Sequence, residues 1–143
     1  MATRSRIGIE LSNGDVLSVY HHWDGYPQWL GKTLCEHYNT TEKVSELIDG
    51  GDMSVCWTDE CFRNSGGKIE KKAEYGPQYY SERGEDCPPR VNTLREYCTD
   101  KEMGEEYHYL WTQKHNVWTC RDMKQFQDGE PEFVDIPLDW YYY

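Results

Sequence analysis

Alternating apolar and polar positions near the start of the chain predict a β-hairpin. Apolar side chains alternate with small or polar ones over residues 7–11, and strand-forming residues recur over residues 16–22. This period of two is typical of a strand with one buried face. Asn13-Gly14 lies between the two runs, and both residues tolerate the positive φ angles that hairpin turns require. The pattern therefore predicts a first hairpin over residues 7–22.

Helical spacing replaces this alternation from Gln28 onward. Apolar and aromatic side chains recur on one side as far as Tyr38, which predicts a first helix. Asn39 and Glu42 have the spacing of a capping box, which predicts that a second helix begins there. Gly50-Gly51 predicts its end. The apolar stripe of this second helix consists of Val44, Leu47 and Ile48.

Further elements follow in the second half of the chain. Residues 53–57 have the composition of a short strand, and Thr93 with Glu96 forms another capping box, which predicts a helix over residues 93–99. A second hairpin is predicted over residues 107–121. Its aromatic stripe is interpreted as core, and it contains Tyr107, Tyr109, Trp111 and Trp118.

Two segments give weaker patterns. Residues 58–90 contain Gly-, Ser- and Pro-rich breaks and are predicted to form a loop-rich excursion that packs through its tyrosines. The last residues of the sequence are Trp140-Tyr141-Tyr142-Tyr143, which we expect to dock on the protein's own sheet or to bind a partner. This aromatic end and the strand edges make a homodimer a possible arrangement, which the sequence leaves open.

Length and composition fit one folded domain. The chain has 143 residues, of which 15% are aromatic, whereas disordered chains are poor in aromatic residues. A chain of this length has room for one core. We therefore predict a single α+β domain over residues 1–143, with antiparallel hairpins in a sheet packed against two or three short helices.

The charge of the chain excludes some classes of partner. Fifteen Lys and Arg stand against 26 Asp and Glu, for a net charge of -11. Nucleic acids and anionic membranes attract basic surfaces, so we expect direct binding to neither. No apolar run approaches the length of a transmembrane helix, and no export signal is apparent at the start. These features predict a cytoplasmic protein with reduced thiols.

The six cysteines give little support for a metal site. Cys56 and Cys61 are the closest pair, with four residues between them, and His108, His115 and Cys120 are the residues that could complete a zinc site. Zinc sites usually contain two tightly spaced pairs. The alternative, that most of these cysteines are small buried apolar residues, is favoured. The prediction is therefore no metal and no cofactor.

Two groups of residues have the chemistry of a ligand site. Arg4 and Arg6 precede the first strand, and guanidinium groups bind phosphate in a bidentate manner. The other reading is that they neutralise nearby acids. The loop at residues 22–27 contains an imidazole, a carboxylate and two aromatic rings. Such side chains can stack on the ring of a ligand and form hydrogen bonds to the edge of that ring. The alternative for this loop is a structural turn. The candidate ligand-binding residues are Arg4, Arg6, His22, Trp23, Asp24 and Tyr26.

No complete catalytic motif is present in the sequence. It contains no P-loop, nucleophile elbow, zinc-protease or calcium-loop pattern. His21 and His22 are adjacent in a predicted strand and therefore point to opposite faces, so they are not expected to bind one metal together. We predict no catalytic residues. A nucleotide hydrolase that uses His21 or His22 as acid or base is the least favoured hypothesis.

Several motifs resemble one family of proteins. The opening ATRSRIG at residues 2–8, HWDGYP at residues 22–27, and the later LxxHY, KVxxLI and GDMS patterns are similar to the front half of short accessory proteins of tailed bacteriophages, most of which have no biochemical assignment. The resemblance covers about the first 55 residues, with a weaker similarity over residues 107–118. It implies a phage accessory protein acting in the cytoplasm of an infected host.

Two functional hypotheses follow for such a protein. The first is host takeover or counter-defence by stoichiometric sequestration of a host small molecule, specifically a nucleotide-like signal. Here Arg4 and Arg6 would bind phosphate while the loop at residues 22–27 held the ring. The second is an acidic inhibitor that binds a host defence protein or nucleic-acid enzyme, either through an ordinary interface or as a DNA mimic. Strict mimicry is disfavoured because the carboxylates are scattered along the chain.

Overall fold

The computed structural model describes residues 3–23, 25–57, 76–99, 104–123 and 134–136. These residues form the strands β1 (Ser5–Glu10), β2 (Val16–His21), β3 (Met53–Trp57), β4 (Gly76–Tyr79), β5 (Arg90–Asn92), β6 (Tyr107–Thr112), β7 (Val117–Asp122) and β8 (Val134–Asp135). The α-helices are α1 (Lys32–His37), α2 (Thr41–Asp49) and α3 (Leu94–Thr99). A π-helical turn, Pro27–Gly31, precedes α1, and a 3-10 turn, Tyr80–Arg83, follows β4.

The described strands pair into one mixed sheet. Its order is β4-β3-β2-β1-β6-β7-β8, and β5 pairs with the first residues of β2. Both predicted hairpins are present as antiparallel pairs, β1 with β2 and β6 with β7. Parallel pairing of β1 with β6 joins the hairpins and places Ile7 opposite Tyr109. The predicted α+β class of a small domain is confirmed, and the sheet is mixed because β1 and β6 run in the same direction.

The turn chemistry of the first hairpin agrees with the prediction from Asn13-Gly14. Gly14 has a φ angle of +90°, and the Asn13 side chain accepts a hydrogen bond from the Asp15 N–H at 3.0 Å. The Leu11 N–H donates to the Asp15 carbonyl at 2.8 Å, which closes the loop. A residue with a Cβ is strained at such a φ angle, so glycine is the residue that this turn favours.

The helices confirm most of the predicted pattern and correct one boundary. The predicted stripe of α2 is buried, and Gly50 is the C-cap. The N-cap is Thr40 and not the predicted Asn39: the Thr40 hydroxyl accepts the Lys43 N–H at 3.2 Å. The capping box predicted with Glu42 is therefore wrong, since Glu42 lies one position too close to the true cap. At α3 the predicted reciprocal box of Thr93 and Glu96 is present.

The main core lies between the sheet and the helices α1 and α2. The predicted aromatic stripe belongs to it, and Trp111 and Trp118 meet edge to face with ring centroids 5.5 Å apart. The opposite sheet face is covered by α3, whose Tyr97 packs on Gly8 and donates its hydroxyl to the Tyr109 carbonyl at 2.6 Å. The core contains Ile7, Ile9, Val19, Leu30, Leu34, Val44, Leu47, Ile48, Met53, Tyr109 and Trp111 among its buried residues.

Part of the predicted excursion over residues 58–90 is ordered against the sheet. Residues 58–75 lie outside the described residues, whereas β4 pairs with β3 and the Tyr79 hydroxyl donates to the Leu47 carbonyl at 2.6 Å. The described portion is therefore not a simple loop. At the other end of the chain only residues 134–136 are described beyond 123, so the predicted docking of Trp140 to Tyr143 lies outside them.

No helix in the described ranges has both the length and the apolar character needed to cross a membrane.

Candidate functional site

A cleft of about 570 Å³ opens at the end of the sheet face that α3 covers. Pockets for small molecules usually enclose about 300–1,000 Å³. The cleft is formed where the segment before β1, the end of β2, the residue before β3 and the segment after β4 meet. Its lining residues are Arg4, Tyr20, His22, Asp52, Tyr80, Glu85, Cys87 and Gly104.

Tyr20 and His22 form a hydrogen-bonded pair on one wall of the cleft. They lie two positions apart at the end of β2, so the strand directs both side chains to the same face. The Tyr20 hydroxyl lies 2.7 Å from the His22 Nδ1 atom. Burial raises the pKa of Tyr20 and lowers the pKa of His22, and the charge of Arg4 also lowers the pKa of His22. At neutral pH both groups are therefore uncharged, and they offer hydrogen bonds and ring surfaces to a ligand.

Asp52 connects three walls of the cleft. Its Oδ1 atom accepts the Tyr20 N–H at 2.8 Å, its own N–H donates to the Cys87 carbonyl at 2.9 Å, and its carbonyl accepts the Tyr80 N–H at 3.1 Å. Gly51 permits this arrangement, because it has a φ angle of +88° and a Cβ there would overlap the Cys87 carbonyl. The position of Asp52 is thus fixed by the backbone on each side of the cleft.

Among the described residues, a hydrogen-bond donor reaches one oxygen of the Asp52 carboxylate and not the other. No hydrogen bond joins its Oδ2 atom to another described residue. Burial raises the pKa of Asp52, while the Tyr20 N–H and the positive charges of Arg6 and Arg90 act in the opposite direction. Asp52 is therefore a half-buried acceptor near two positive charges, and burial has the largest effect on its pKa.

Arg4 supplies a cation among the described lining residues. Its carbonyl accepts the Glu106 N–H at 2.8 Å, which anchors the segment before β1 to the segment before β6. Its side chain is exposed and lies beside Gly104: a Cβ added to Gly104 would be 3.3 Å from the Arg4 Nη1 atom. Because guanidinium groups bind phosphate with two parallel hydrogen bonds, Arg4 is placed to bind an anionic group at the mouth of the cleft.

Arg6 is buried and does not line the cleft. It is 4% exposed, its Nε atom donates to the Ser18 hydroxyl at 3.0 Å, and its Nη2 atom donates to the Ser18 carbonyl at 3.2 Å. Its Nη1 atom is 4.0 Å from the Glu105 carboxylate, which in turn lies 3.6 Å from His108 Nε2. Arg6 thus matches the alternative reading, in which it neutralises a nearby acid, and it is not an exposed phosphate fork.

The predicted loop at residues 22–27 divides between two environments. His22 lines the cleft, and the half-exposed ring of Trp23 meets His22 edge-on with centroids 4.7 Å apart. Tyr26 instead packs against the main core on the helix side and precedes the π-helical turn, as the structural reading of this loop expected. Asp24 lies outside the described residues. The structure therefore brings Arg4 and His22 together, places Trp23 beside them, and separates Arg6 and Tyr26 from them.

Sequence reasoning missed several cleft residues. Tyr20 carries a signal that was available, because it shares a strand face with His22 at a spacing of two. Asp52 lies in the GDMS pattern of the family resemblance, but nothing in that pattern assigns it to a ligand site. Tyr80, Glu85 and Cys87 come from the range predicted to be loop-rich, and only the pairing of β4 with β3 brings them to the cleft.

The described residues contain no group of three His, Cys, Asp or Glu side chains arranged to hold a metal ion. Cys56 is buried, its N–H donates to His21 and its thiol lies 3.5 Å from the Tyr38 hydroxyl. Cys61, the other half of the closest pair in sequence, lies outside the described residues. No disulfide joins the described cysteines.

Comparisons with family models, with curated proteins and with solved structures gave no match to this chain.

Proposed function

We propose that this protein is a phage accessory protein that sequesters a small nucleotide-like molecule in the cleft, within the cytoplasm of an infected host. It holds the molecule without converting it, and so removes a signal used in host defence or host control. The observation that carries the proposal is the cleft itself, with an exposed Arg4 at its mouth and the uncharged Tyr20–His22 pair on its wall.

The chemistry of the lining fits a ligand with an anionic end and a ring. Arg4 provides the charge for a phosphate, and the two aromatic side chains of the cleft, Tyr20 and Tyr80, provide flat surfaces beside His22. Trp23 extends this surface outward because its ring contacts His22. The strongly acidic chain repels anions at long range, but charges beyond about 8 Å are largely screened at physiological salt, so a local arginine controls binding.

The thiol of the cleft also favours binding over covalent catalysis. Burial and the neighbouring carboxylates raise the pKa of Cys87, and Asp52 is one of those carboxylates. A cysteine needs a lowered pKa to act as a nucleophile at neutral pH, because the thiolate is the reactive form. Cys87 is therefore expected to be a contact residue.

The test is native mass spectrometry of the protein purified from infected cells, before and after denaturation. We expect a retained mass of nucleotide size that is released on denaturation, is lost in Arg4→Ala, and is kept in Arg95→Ala. Arg95 is the matched control because it is an exposed arginine on α3 that does not line the cleft. The same spectra report whether the protein is a homodimer.

Two results would contradict the proposal. One is a bare polypeptide in every preparation. The other is a small molecule that Arg4→Ala retains as well as the wild type does. If the bare chain instead carries a host protein through purification in a salt-sensitive complex, the second hypothesis, an acidic inhibitor of a host protein, replaces sequestration.

A further inference from the structure

We infer that Asp52 recognises the ribose of the bound molecule, so that the cleft takes ribonucleotides in preference to their 2′-deoxy counterparts. This inference rests on the proposed function and specifies its ligand class. Its starting point is the Asp52 carboxylate, which lines the cleft and has one oxygen, Oδ1, committed to the Tyr20 N–H at 2.8 Å. No hydrogen bond joins the other oxygen, Oδ2, to another described residue.

A half-buried carboxylate oxygen that receives no hydrogen bond from the described residues favours a ligand that supplies a donor. An ionised carboxylate is an acceptor only, with lone pairs on both oxygens, and leaving such a group unsatisfied when a ligand excludes water is costly. Binding is therefore favoured for a molecule that places a donor against Asp52 while its anionic group reaches Arg4. A nucleoside monophosphate has this arrangement, since its ribose hydroxyls lie between the phosphate and the base.

The charges around Asp52 favour a neutral donor over a cation. The positive charges of Arg6 and Arg90 act on this carboxylate, and Arg6 is buried. An ammonium group placed beside Asp52 would also be repelled by these guanidinium charges, whereas a hydroxyl carries no charge and needs only the lone pairs of the carboxylate. Acidic side chains make the same contact with ribose 2′-hydroxyls in dinucleotide-binding folds, which shows that the chemistry is sufficient.

The rigidity of Asp52 makes the contact selective. Its N–H and carbonyl are bonded to Cys87 and Tyr80, and Gly51 holds the backbone in a left-handed conformation. The carboxylate therefore stays at the cleft and cannot move into solvent when a bound ligand lacks the hydroxyl. A site built to bond a hydroxyl rejects the analogue without it because its own polar group is then left unpaired.

The experiment is isothermal titration of the full chain, freed of any retained ligand, with the 5′-monophosphates of adenosine, guanosine, cytidine and uridine and with their 2′-deoxy forms. We expect at least one ribonucleotide to bind, and its deoxy form to bind about 10-fold to 100-fold more weakly, the range for one lost hydrogen bond to a charged group. Asp52→Asn keeps an oxygen for the Tyr20 N–H, and it should lower the ratio of the two affinities several-fold, because a neutral amide bonds a hydroxyl more weakly than a carboxylate does.

Asp49→Asn is the matched control, because Asp49 is an exposed carboxylate at the end of α2 outside the cleft. It should preserve the affinity ratio of the wild type. If Asp52→Asn does not fold, the inference is tested by the wild-type protein alone, through the ratio of its affinities for the ribonucleotide and the deoxynucleotide. Equal binding of ribo and deoxy forms, lost in Arg4→Ala, would overturn the ribose inference and leave the proposed function in place. If no nucleotide on the panel binds, both the inference and the nucleotide-binding proposal are overturned.

Discussion

Replacing His21 by glutamine is expected to make folding less sensitive to mild acid. His21 is 1% exposed, and its Nε2 atom accepts the Cys56 N–H at 3.1 Å. Its Nδ1 atom lies 3.3 Å from the Ser5 hydroxyl. Because Nε2 is an acceptor, the single proton of the neutral ring is on Nδ1. A second proton would have to occupy Nε2, where it would face the Cys56 N–H donor inside the core.

The size of the effect follows from the displaced pKa. Burial, with a smaller contribution from His22, lowers the pKa of His21 from 6.5 to about 3. In the unfolded chain the pKa stays near 6.5, so below that pH the unfolded state binds a proton that the folded state does not. Stability is therefore present above pH 6.5 and is lost as the pH falls toward 3. Between pH 7.5 and 5.5 this loss is about 1.4 kcal/mol.

The assay is urea unfolding of the wild type and two variants at pH 7.5, 6.5 and 5.5. His21→Gln keeps a side-chain acceptor near Cys56 but does not titrate, so its free energy of unfolding should fall by about 1.4 kcal/mol less than that of the wild type over this range. His115→Gln removes an exposed imidazole from the β6–β7 turn and should follow the wild type. A His21→Gln variant with the wild-type pH dependence would refute a neutral, buried His21.

Two further predictions concern stability and use the same urea assay. Thr40→Ala should lower the free energy of unfolding by about 1 kcal/mol, because Thr40 caps α2 through the Lys43 N–H, whereas Asn39→Ala should have little effect. Equal losses in the two variants would contradict the assigned cap. Gly8→Ala should cost about 1–3 kcal/mol, because a Cβ there would lie 2.7 Å from Val16 Cγ1 and 2.9 Å from the Tyr97 ring. An alanine variant as stable as the wild type would show that Tyr97 does not pack on Gly8.

Local patterns in the sequence predicted much of the fold, because most elements depend on neighbouring residues. The hairpin at Asn13-Gly14 and the capping box of Thr93 and Glu96 are both present as predicted. The parallel pairing of β1 with β6 could not be read in the same way, since it joins residues about one hundred positions apart. No short turn links β1 to β6, so no local sequence pattern indicates that the two strands run parallel.

The candidate site was less predictable for the same reason. Arg4 and His22 are close in sequence to β1 and β2, and pairing of those strands brings them together. Asp52 and Tyr80 reach the cleft only through the backbone bonds that join β2, the residue before β3 and the turn after β4. Asp52 lies in the GDMS pattern, but in a chain with 26 acidic residues that pattern does not mark its carboxylate as part of a site. Its role becomes visible only when its partners are known.

Arg4 and Arg6 lie on the same side of the chain, and their positions relative to α3 decide which guanidinium group is exposed. Arg6 lies within β1 on the face that α3 covers, so its guanidinium is buried and bonded to Ser18. Arg4 precedes the strand, where α3 no longer covers the face, and its side chain is exposed at the cleft. His21 and His22 are separated in another way: they are adjacent in sequence, so alternation along the strand places His21 in the core and His22 in the cleft. A shift of one residue in the β1–β2 pairing would exchange these faces, and it would destroy the core and the cleft together.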